Sequence, residues 1–352
     1  MGQLIWETPP PPAPPPAPGG ISASRLTLLA LLVGGCIGGW YVYANYTLEI
    51  RRYEDGRLES LRIVARDRSG GPVSGPSDVP PAQGRPTIRI ASYNLDGLDD
   101  LKLARPLVAD AVVRVVPRFD VVALQGIHCK DRGLLVRLVE QVNATGRYYD
   151  FARCPTLDRD PIDTYNAILF DRTTIEVDRL TVHSVEDAAG RFRVKPLVGS
   201  FRVRGPPEKE AFTFKLINVL VDRERATAEL DLLADVFRAV RDSDPNEDDI
   251  ILVGCLEADP AHLGRLGRVP NLLAAVSTIP TTTRGTQLAD NILFDRRATV
   301  EYTGVSGVLD LIRELNLSPQ DAVGISEHLP VWAEFSSSEG GQPGPVAGWG
   351  AR

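Results

Sequence analysis

Cysteine is scarce in this chain of 352 residues, and so is any excess of positive charge. The four cysteines, Cys36, Cys129, Cys154 and Cys255, are too few and too irregularly spaced for a disulfide scaffold. No CxxC pair occurs, which argues against a structural zinc site of the usual spacing. The thiols of the body are expected to pack as small apolar groups. Formal net charge is −7, and the first 85 residues are nearly balanced, so the acid excess lies in the remainder. Such a body gets no general electrostatic help in holding nucleic-acid phosphate, which excludes a nonspecific DNA-coating protein but not a metal-bridged phosphate site. No internal repeat is visible. What is present, 43% hydrophobic and 24% charged residues, is ordinary globular composition. The length suits one core of roughly 250 residues with appendages.

The front of the chain is different. Residues 1–24 contain the run PPPPAPPPAP (Pro9–Pro18), which reads as a solvated polyproline II spacer or a ligand for a proline-binding domain. No charge occurs between Arg25 and Glu49. A helix over Leu26–Leu48 would span about 34 Å, enough for the hydrocarbon core of a bilayer. Trp40, Tyr41, Tyr43 and Tyr46 gather at one end, where amphipathic rings favour the headgroup region. Residues 25–48 are therefore expected to form one transmembrane helix, with a cleaved signal peptide ending near Ala44 and a buried core helix as rivals. Gly34/Gly38 and Gly35/Gly39 give two GxxxG spacings through which a homodimer could pack. The arginines at 51, 52, 57, 62, 66 and 68 crowd the following flank, which predicts a single-pass protein with its body on the cytoplasmic side. Residues 49–85, charged and then rich in Gly, Pro and Ser, read as a linker, and 338–352 as a disordered tail.

Within 86–337, short apolar runs alternate with helical periods. TIRIASY (Thr87–Tyr93), DVVALQ (Asp120–Gln125) and DIILV (Asp249–Val253) read as strands, as do Asn166–Phe170, Thr174–His183, Leu197–Arg204, Phe212–Val219, Asn291–Phe294 and Pro330–Phe335. Helical stripes run from Ala104 to Val115, from Leu134 to Val142 and from Leu230 to Val240. The pattern predicts an α/β fold with stacked sheets.

Six segments in order resemble the endonuclease/exonuclease/phosphatase superfamily, the DNase-I-like fold. They are IRIASYNL (Ile88–Leu95), FDVVALQGI (Phe119–Ile127), YNAILF (Tyr165–Phe170), FKLINVLV (Phe214–Val221), DIILVGCLEADP (Asp249–Pro260), and the closing pair ADNILFD (Ala289–Asp295) with SEHLPVWAEF (Ser326–Phe335). The resemblance implies a four-layer α/β/β/α sandwich with a site at one edge of the sheets. There a divalent metal and a ring of Asn, Glu, Asp and His hold a phosphate for in-line attack by water.

Carried over by position, Asn94, Asp290 and His328 are retained, and Glu327 lengthens the family's aspartate by one methylene. Gly126 stands where the family has its metal-binding glutamate. Leu220 replaces a phosphate-binding histidine two residues after Asn218. In Gly254-Cys255-Leu256-Glu257, Cys255 replaces the water-orienting aspartate and Glu257 an asparagine. Losing a metal ligand and a water-orienting acid together is expected to cost many powers of ten in rate. The resemblance therefore implies a catalytically disabled domain, and with the apolar run before it a membrane-anchored binding module that needs no cofactor and takes a phosphorylated ligand or a protein partner. The alternative is an active phosphodiesterase, phosphatase or nuclease with a rearranged site, in which Glu257, Asp290 and Glu327 hold Mg²⁺ or Mn²⁺. His128 and Cys129 lack ligand spacing and read as loop, and the acidic run Asp242–Asp249 reads as a solvated loop.

Overall fold

The structure, a computed structural model, describes residues 84–128, 133–154 and 164–341, and the backbone of 46–52 and 58–65. The chain divides into two compact units between Val73 and Ser74. In the first, β1 (Tyr46–Arg52) and β2 (Leu58–Ala65) pair antiparallel, with Leu48 opposite Ile63 and Ile50 opposite Leu61. Tyr46–Leu48, at the end of the expected membrane helix, are strand here, and residues 49–52 and 58–65 of the expected linker pair as strands. Their apolar residues alternate with charged ones, a period-2 pattern that suits a strand better than a linker. The proline run, the GxxxG pairs and most of the apolar segment lie outside the described residues. Among the described residues no helix is long and apolar enough to cross a membrane.

The second unit is a sandwich of two six-stranded sheets. Its strands are β3 (Thr87–Leu98), β4 (Val121–Ile127), β5 (Tyr149–Arg153), β6 (Tyr165–Asp171), β7 (Ile175–Ser184), β8 (Leu197–Val203), β9 (Thr213–Leu220), β10 (Ile250–Cys255), β11 (Leu272–Ala274), β12 (Asp290–Asp295), β13 (Tyr302–Val308) and β14 (Val331–Ser336). One sheet has the order β13-β14-β3-β4-β6-β5, the other β11-β12-β10-β9-β8-β7. Each contains one parallel pair, β3 with β4 and β9 with β10, and the remaining pairings are antiparallel. A helix bridges each parallel pair, because parallel neighbours require a crossover. The helices are α1 (Asp100–Leu103), α2 (Pro106–Val115), α3 (Leu134–Asn143), α4 (Ala226–Asp242), α5 (Leu311–Leu315) and α6 (Pro319–Ile325). Pro106 occupies the first turn of α2, where its missing N–H costs nothing, and Pro117 falls in the 3-10 turn Val116–Arg118 that ends it.

Three separate apolar cores account for the layers. Val108, Val112 and Val115 of α2, with Leu135 and Leu138 of α3, cover the outer face of the first sheet against Tyr93, Leu95 and Val122. Leu230, Leu233 and Phe237 of α4 cover the outer face of the second against Ile217, Val219 and Leu252. Between the sheets lie Ile88, Ile90, Ala123, Leu216, Val253 and Ile292 with a chain of aromatic rings. Phe214 stacks on Phe201 at 5.6 Å and on Phe212 at 5.1 Å, and Phe212 on Phe335 at 5.9 Å. The four-layer α/β/β/α expectation holds for this unit. The C-terminal boundary at 337 does not. Glu339 accepts hydrogen bonds from the Thr213 amide (2.8 Å) and hydroxyl (3.2 Å), and the Gly340 amide donates to Glu301 at 2.7 Å, so the fold runs on through these residues.

Candidate active site at the edge between the sheets

Strand register assembles the site. Leu220 of β9 lies opposite Cys255 of β10, which lies opposite Asp290 of β12. In the other sheet Asn94 of β3 lies opposite Gln125 of β4. Each is in phase with inter-sheet core residues of its own strand: Leu216, Val253, Ile292, Ile90 and Ala123. With a period of two, all five therefore share the face between the sheets, at one edge of it. The loop before β14 brings His328 to the same edge, where Thr282 and His328 form an isolated bridge.

The retained residues form a connected group. His328 Nδ1 lies 2.8 Å from Asp290 Oδ2, and the Thr281 hydroxyl donates to the same oxygen at 2.9 Å. The Ser326 hydroxyl donates to the Asn94 carbonyl at 2.7 Å and accepts the His328 amide at 2.9 Å, which ties the loop to β3. Thr283 holds that loop from the other side, its hydroxyl donating to the Ser326 carbonyl at 2.7 Å. Burial opposes a charged imidazole here, yet the hydrogen bond and charge of Asp290, with Glu257 and Asp96 beyond, outweigh it and raise the His328 pKa above its usual value. Asp290 Oδ1 is buried without a hydrogen-bond partner.

The positions that the resemblance marks as replaced are closely packed. Gly126 sits at φ +68° in a bulge of β4, where pairing with β6 shifts between Leu124 and Ile127. A Cβ there would fall 2.8 Å from Asn94 Oδ1, which accepts the Asp96 amide at 2.9 Å. The Asn94 amide thus occupies the first step of the path a glutamate at 126 would take. Leu220 presents an apolar side chain beside Cys255. Burial, with the charges of Asp290 and Glu257, pushes the Cys255 thiol well above its ordinary pKa, so it stays protonated and points its hydrogen at Glu257 Oε1 (3.4 Å). Gly254 just before it lets the backbone close up, since a Cβ there would lie 2.0 Å from the Val219 carbonyl oxygen.

The acids proposed for a rearranged metal centre are not brought together as a set. Glu257, in a left-handed conformation at φ +52°, is held by Arg223 at 2.9 Å. Glu327 is 53% exposed, and its nearest basic partner is Arg284 at 3.8 Å. The donor groups that converge with Asp290 are instead Cys255 and His328. Mg²⁺ demands hard oxygen ligands in near-octahedral array, and a thiol, an imidazole and one carboxylate do not fit it. His128 pairs with the Thr164 hydroxyl and His183 with the Thr181 carbonyl, both away from this group, and Cys129 lies outside the described residues.

One buried network was not legible in the sequence. Gln125 donates to Asn218 Oδ1 at 2.7 Å, and the Asn218 amide donates to the Leu124 (3.0 Å) and Ala167 (2.9 Å) carbonyls. The Asn166 amide donates to the Asn218 carbonyl at 3.3 Å, and the Ser92 hydroxyl reaches Gln125 at 3.3 Å. These four side chains join the two sheets directly behind the site. A Gln in the phase of the inter-sheet core was the available signal.

Comparison with known proteins agrees with this architecture. The chain is 26% identical over 269 residues to "Deoxyribonuclease-1-like 1" of Sus scrofa, covering 72% of this chain and 83% of that protein. It is 23% identical over 263 residues to "Deoxyribonuclease-1" of Gallus gallus, covering 70% and 91%. Among solved structures, a humanized D. rerio TDP2 superposes with a TM-score of 0.50 at 15% identity, covering 72% of this chain and all of that one. Residues 91–337 match the Endonuclease/Exonuclease/phosphatase family, and to that family the chain belongs.

Proposed function

We propose that this domain does not hydrolyse phosphodiesters with a Mg²⁺- or Mn²⁺-activated water, and that it acts as a membrane-anchored binding module. The observation that carries the proposal is Gly126. The position has no side chain, its backbone is left-handed, and the space its Cβ would enter holds the Asn94 amide. Leu220 and the protonated thiol of Cys255 remove two further groups that would bind phosphate or orient water. What remains at the edge, His328 with raised basicity and Asn94, suits recognition of a phosphorylated ligand by hydrogen bonding. Attachment through Leu26–Asn45 belongs to the same proposal. The stretch before β1 still has 20 residues (Leu26–Asn45), about 30 Å as a helix, which matches a hydrocarbon core. With the arginine-rich flank behind it, the body faces the cytoplasm, and the GxxxG pairs let two helices meet.

The full chain, purified in mild detergent, is assayed with Mg²⁺ and Mn²⁺ on DNA, on phosphoinositides and on a generic phosphodiester. No turnover above background is expected. Turnover abolished by His328→Ala would overturn the proposal. It would support the second reading, an active phosphodiesterase, which the formed His328–Asp290 pair favours. Resistance to alkaline carbonate extraction tests the anchor.

A further inference from the structure

The opposite end of β10 carries a second cluster that has no part in the candidate site. We propose that Asp249, Glu301 and Glu339, with Thr299, bind a hard divalent cation, calcium in preference to magnesium. Carboxylate oxygens of the three acids lie within 4.8 Å of one another. Asp249 is 2% exposed, and Glu301 and Thr299 are 1% exposed. Asp249 Oδ1 and Glu301 Oε2 are both buried without a hydrogen-bond partner, and the buried Thr299 hydroxyl lies beside Asp249. Two such carboxylate oxygens in one place are unusual in a folded protein and call for an occupant.

Electrostatics asks for the same occupant. Burial and the charges of Glu301, Glu247 and Glu339 raise the Asp249 pKa, outweighing a hydrogen bond from Thr299 that lowers it. Glu247 Oε1 accepts the Asp249 amide at 3.0 Å, which keeps that carboxyl beside the cluster. Lys215 follows on the neighbouring strand, but its ammonium is engaged by Asp244 at 3.4 Å and Ser243 at 3.3 Å. Glu301 uses one oxygen on the Gly340 amide at 2.7 Å, which leaves the other free to ligate. Glu339 is exposed and offers a way in from solvent.

The donors are all oxygen, which excludes a preference for soft metals. They come from three chain segments: the residues before β10, the turn before β13 and the stretch after β14. Ca²⁺ accepts such an irregular, carboxylate-rich set of six to eight oxygens, whereas Mg²⁺ demands a tight octahedron and keeps its waters. Asp249 leads into a strand of one sheet, and Glu301 and Glu339 adjoin strands of the other, so the ion would fasten the ends of the two sheets together. The six residues of β10 place this cluster roughly 20 Å from Cys255, which makes the inference independent of the proposed function.

The competing occupant is a proton shared by the acids. Thermal unfolding of the full chain, stripped with EDTA, separates the two. At constant ionic strength, Ca²⁺ is expected to raise the midpoint saturably, on the order of 5 °C at about a hundred times its dissociation constant, and Mg²⁺ by less. Equilibrium dialysis is expected to show one Ca²⁺ lost in Glu301→Gln, with affinity weakened at least about tenfold in Glu339→Gln, whose exposed position spares the fold. A midpoint unmoved by Ca²⁺ would mean the proton alone fills the site and would overturn the inference. So would a Ca²⁺ response equal in wild type, Glu301→Gln and Glu339→Gln, since the ion would then bind elsewhere. Metal-dependent turnover would overturn the proposed function and leave this inference standing.

Discussion

Replacing Gly126 by alanine isolates the feature on which the functional proposal depends. An L-residue held in the left-handed region costs about 1–2 kcal/mol. The new Cβ would also fall 2.8 Å from Asn94 Oδ1 and 3.3 Å from the Asp96 and Gly97 amide nitrogens. The Asn94 side chain must then move and give up its bond to the Asp96 amide, worth about 0.5–1.5 kcal/mol net. Together these predict a loss of about 1.5–3.5 kcal/mol for Gly126→Ala, or roughly 3–14 °C in the unfolding midpoint of a domain this size. Urea denaturation gives the free energy, and a double-mutant cycle with Asn94→Ala separates the two contributions. Removing the amide relieves the overlap but not the backbone strain, so the pair is expected to couple by about 1 kcal/mol. Gly126→Glu should be at least as destabilised and should gain no Mg²⁺-dependent turnover. A Gly126→Ala variant within about 0.5 kcal/mol of wild type, or strict additivity with Asn94→Ala, would refute the reasoning.

Three further outcomes follow from the same geometry. His328 has a raised folded-state pKa, so its pairing with Asp290 contributes stability that is complete below its unfolded value near 6.5 and is lost as pH rises through the folded value. Unfolding free energy should therefore fall above about pH 6.5, and Asp290→Asn should flatten that slope; an unchanged slope would contradict the assignment. Asn218→Ala strips partners from Gln125 and from the Leu124 and Ala167 carbonyls and should cost about 2–4 kcal/mol by chemical denaturation, where a surface-like loss under 0.5 kcal/mol would deny the network its role. Cys255 is fully buried and its thiol is held protonated, so peptide mapping should find it unalkylated by iodoacetamide at about pH 8 until urea is added.

Much of the fold was readable because burial writes itself into strands with period two and into helices with period 3.6. Thr87–Tyr93, Asn166–Phe170 and Leu197–Arg204 were found within a few residues of β3, β6 and β8, and the Leu230–Val240 stripe within α4. Elements that the reading missed carry weaker patterns. β13 contains two glycines in seven residues, and β11 has only three residues. The β1–β2 hairpin was hidden by its arginines, which read as a flank of the apolar run and not as the exposed half of an alternation. Asp249 stands in sequence at the junction of an acidic run and a strand, and a local window cannot show that Glu301 and Glu339 return to the same place.

Sequence alone determined the layers of this protein. Which face of each strand is apolar depends only on neighbours two residues away, and six segments in order were enough to place the family. The resemblance also implies replaced side chains at 126, 220 and 255. Tertiary structure decided what surrounds those positions. Cys255 meets His328 across 73 residues and Asp290 meets His328 across 38, distances along the chain that only strand register can close. The same register tied Glu257 to Arg223, left Glu327 at the surface, filled the place of a side chain at 126 with the Asn94 amide, and gathered three acids at the far end of β10. Local pattern specifies what is buried, whereas the pairing of polar groups is a property of the packed chain.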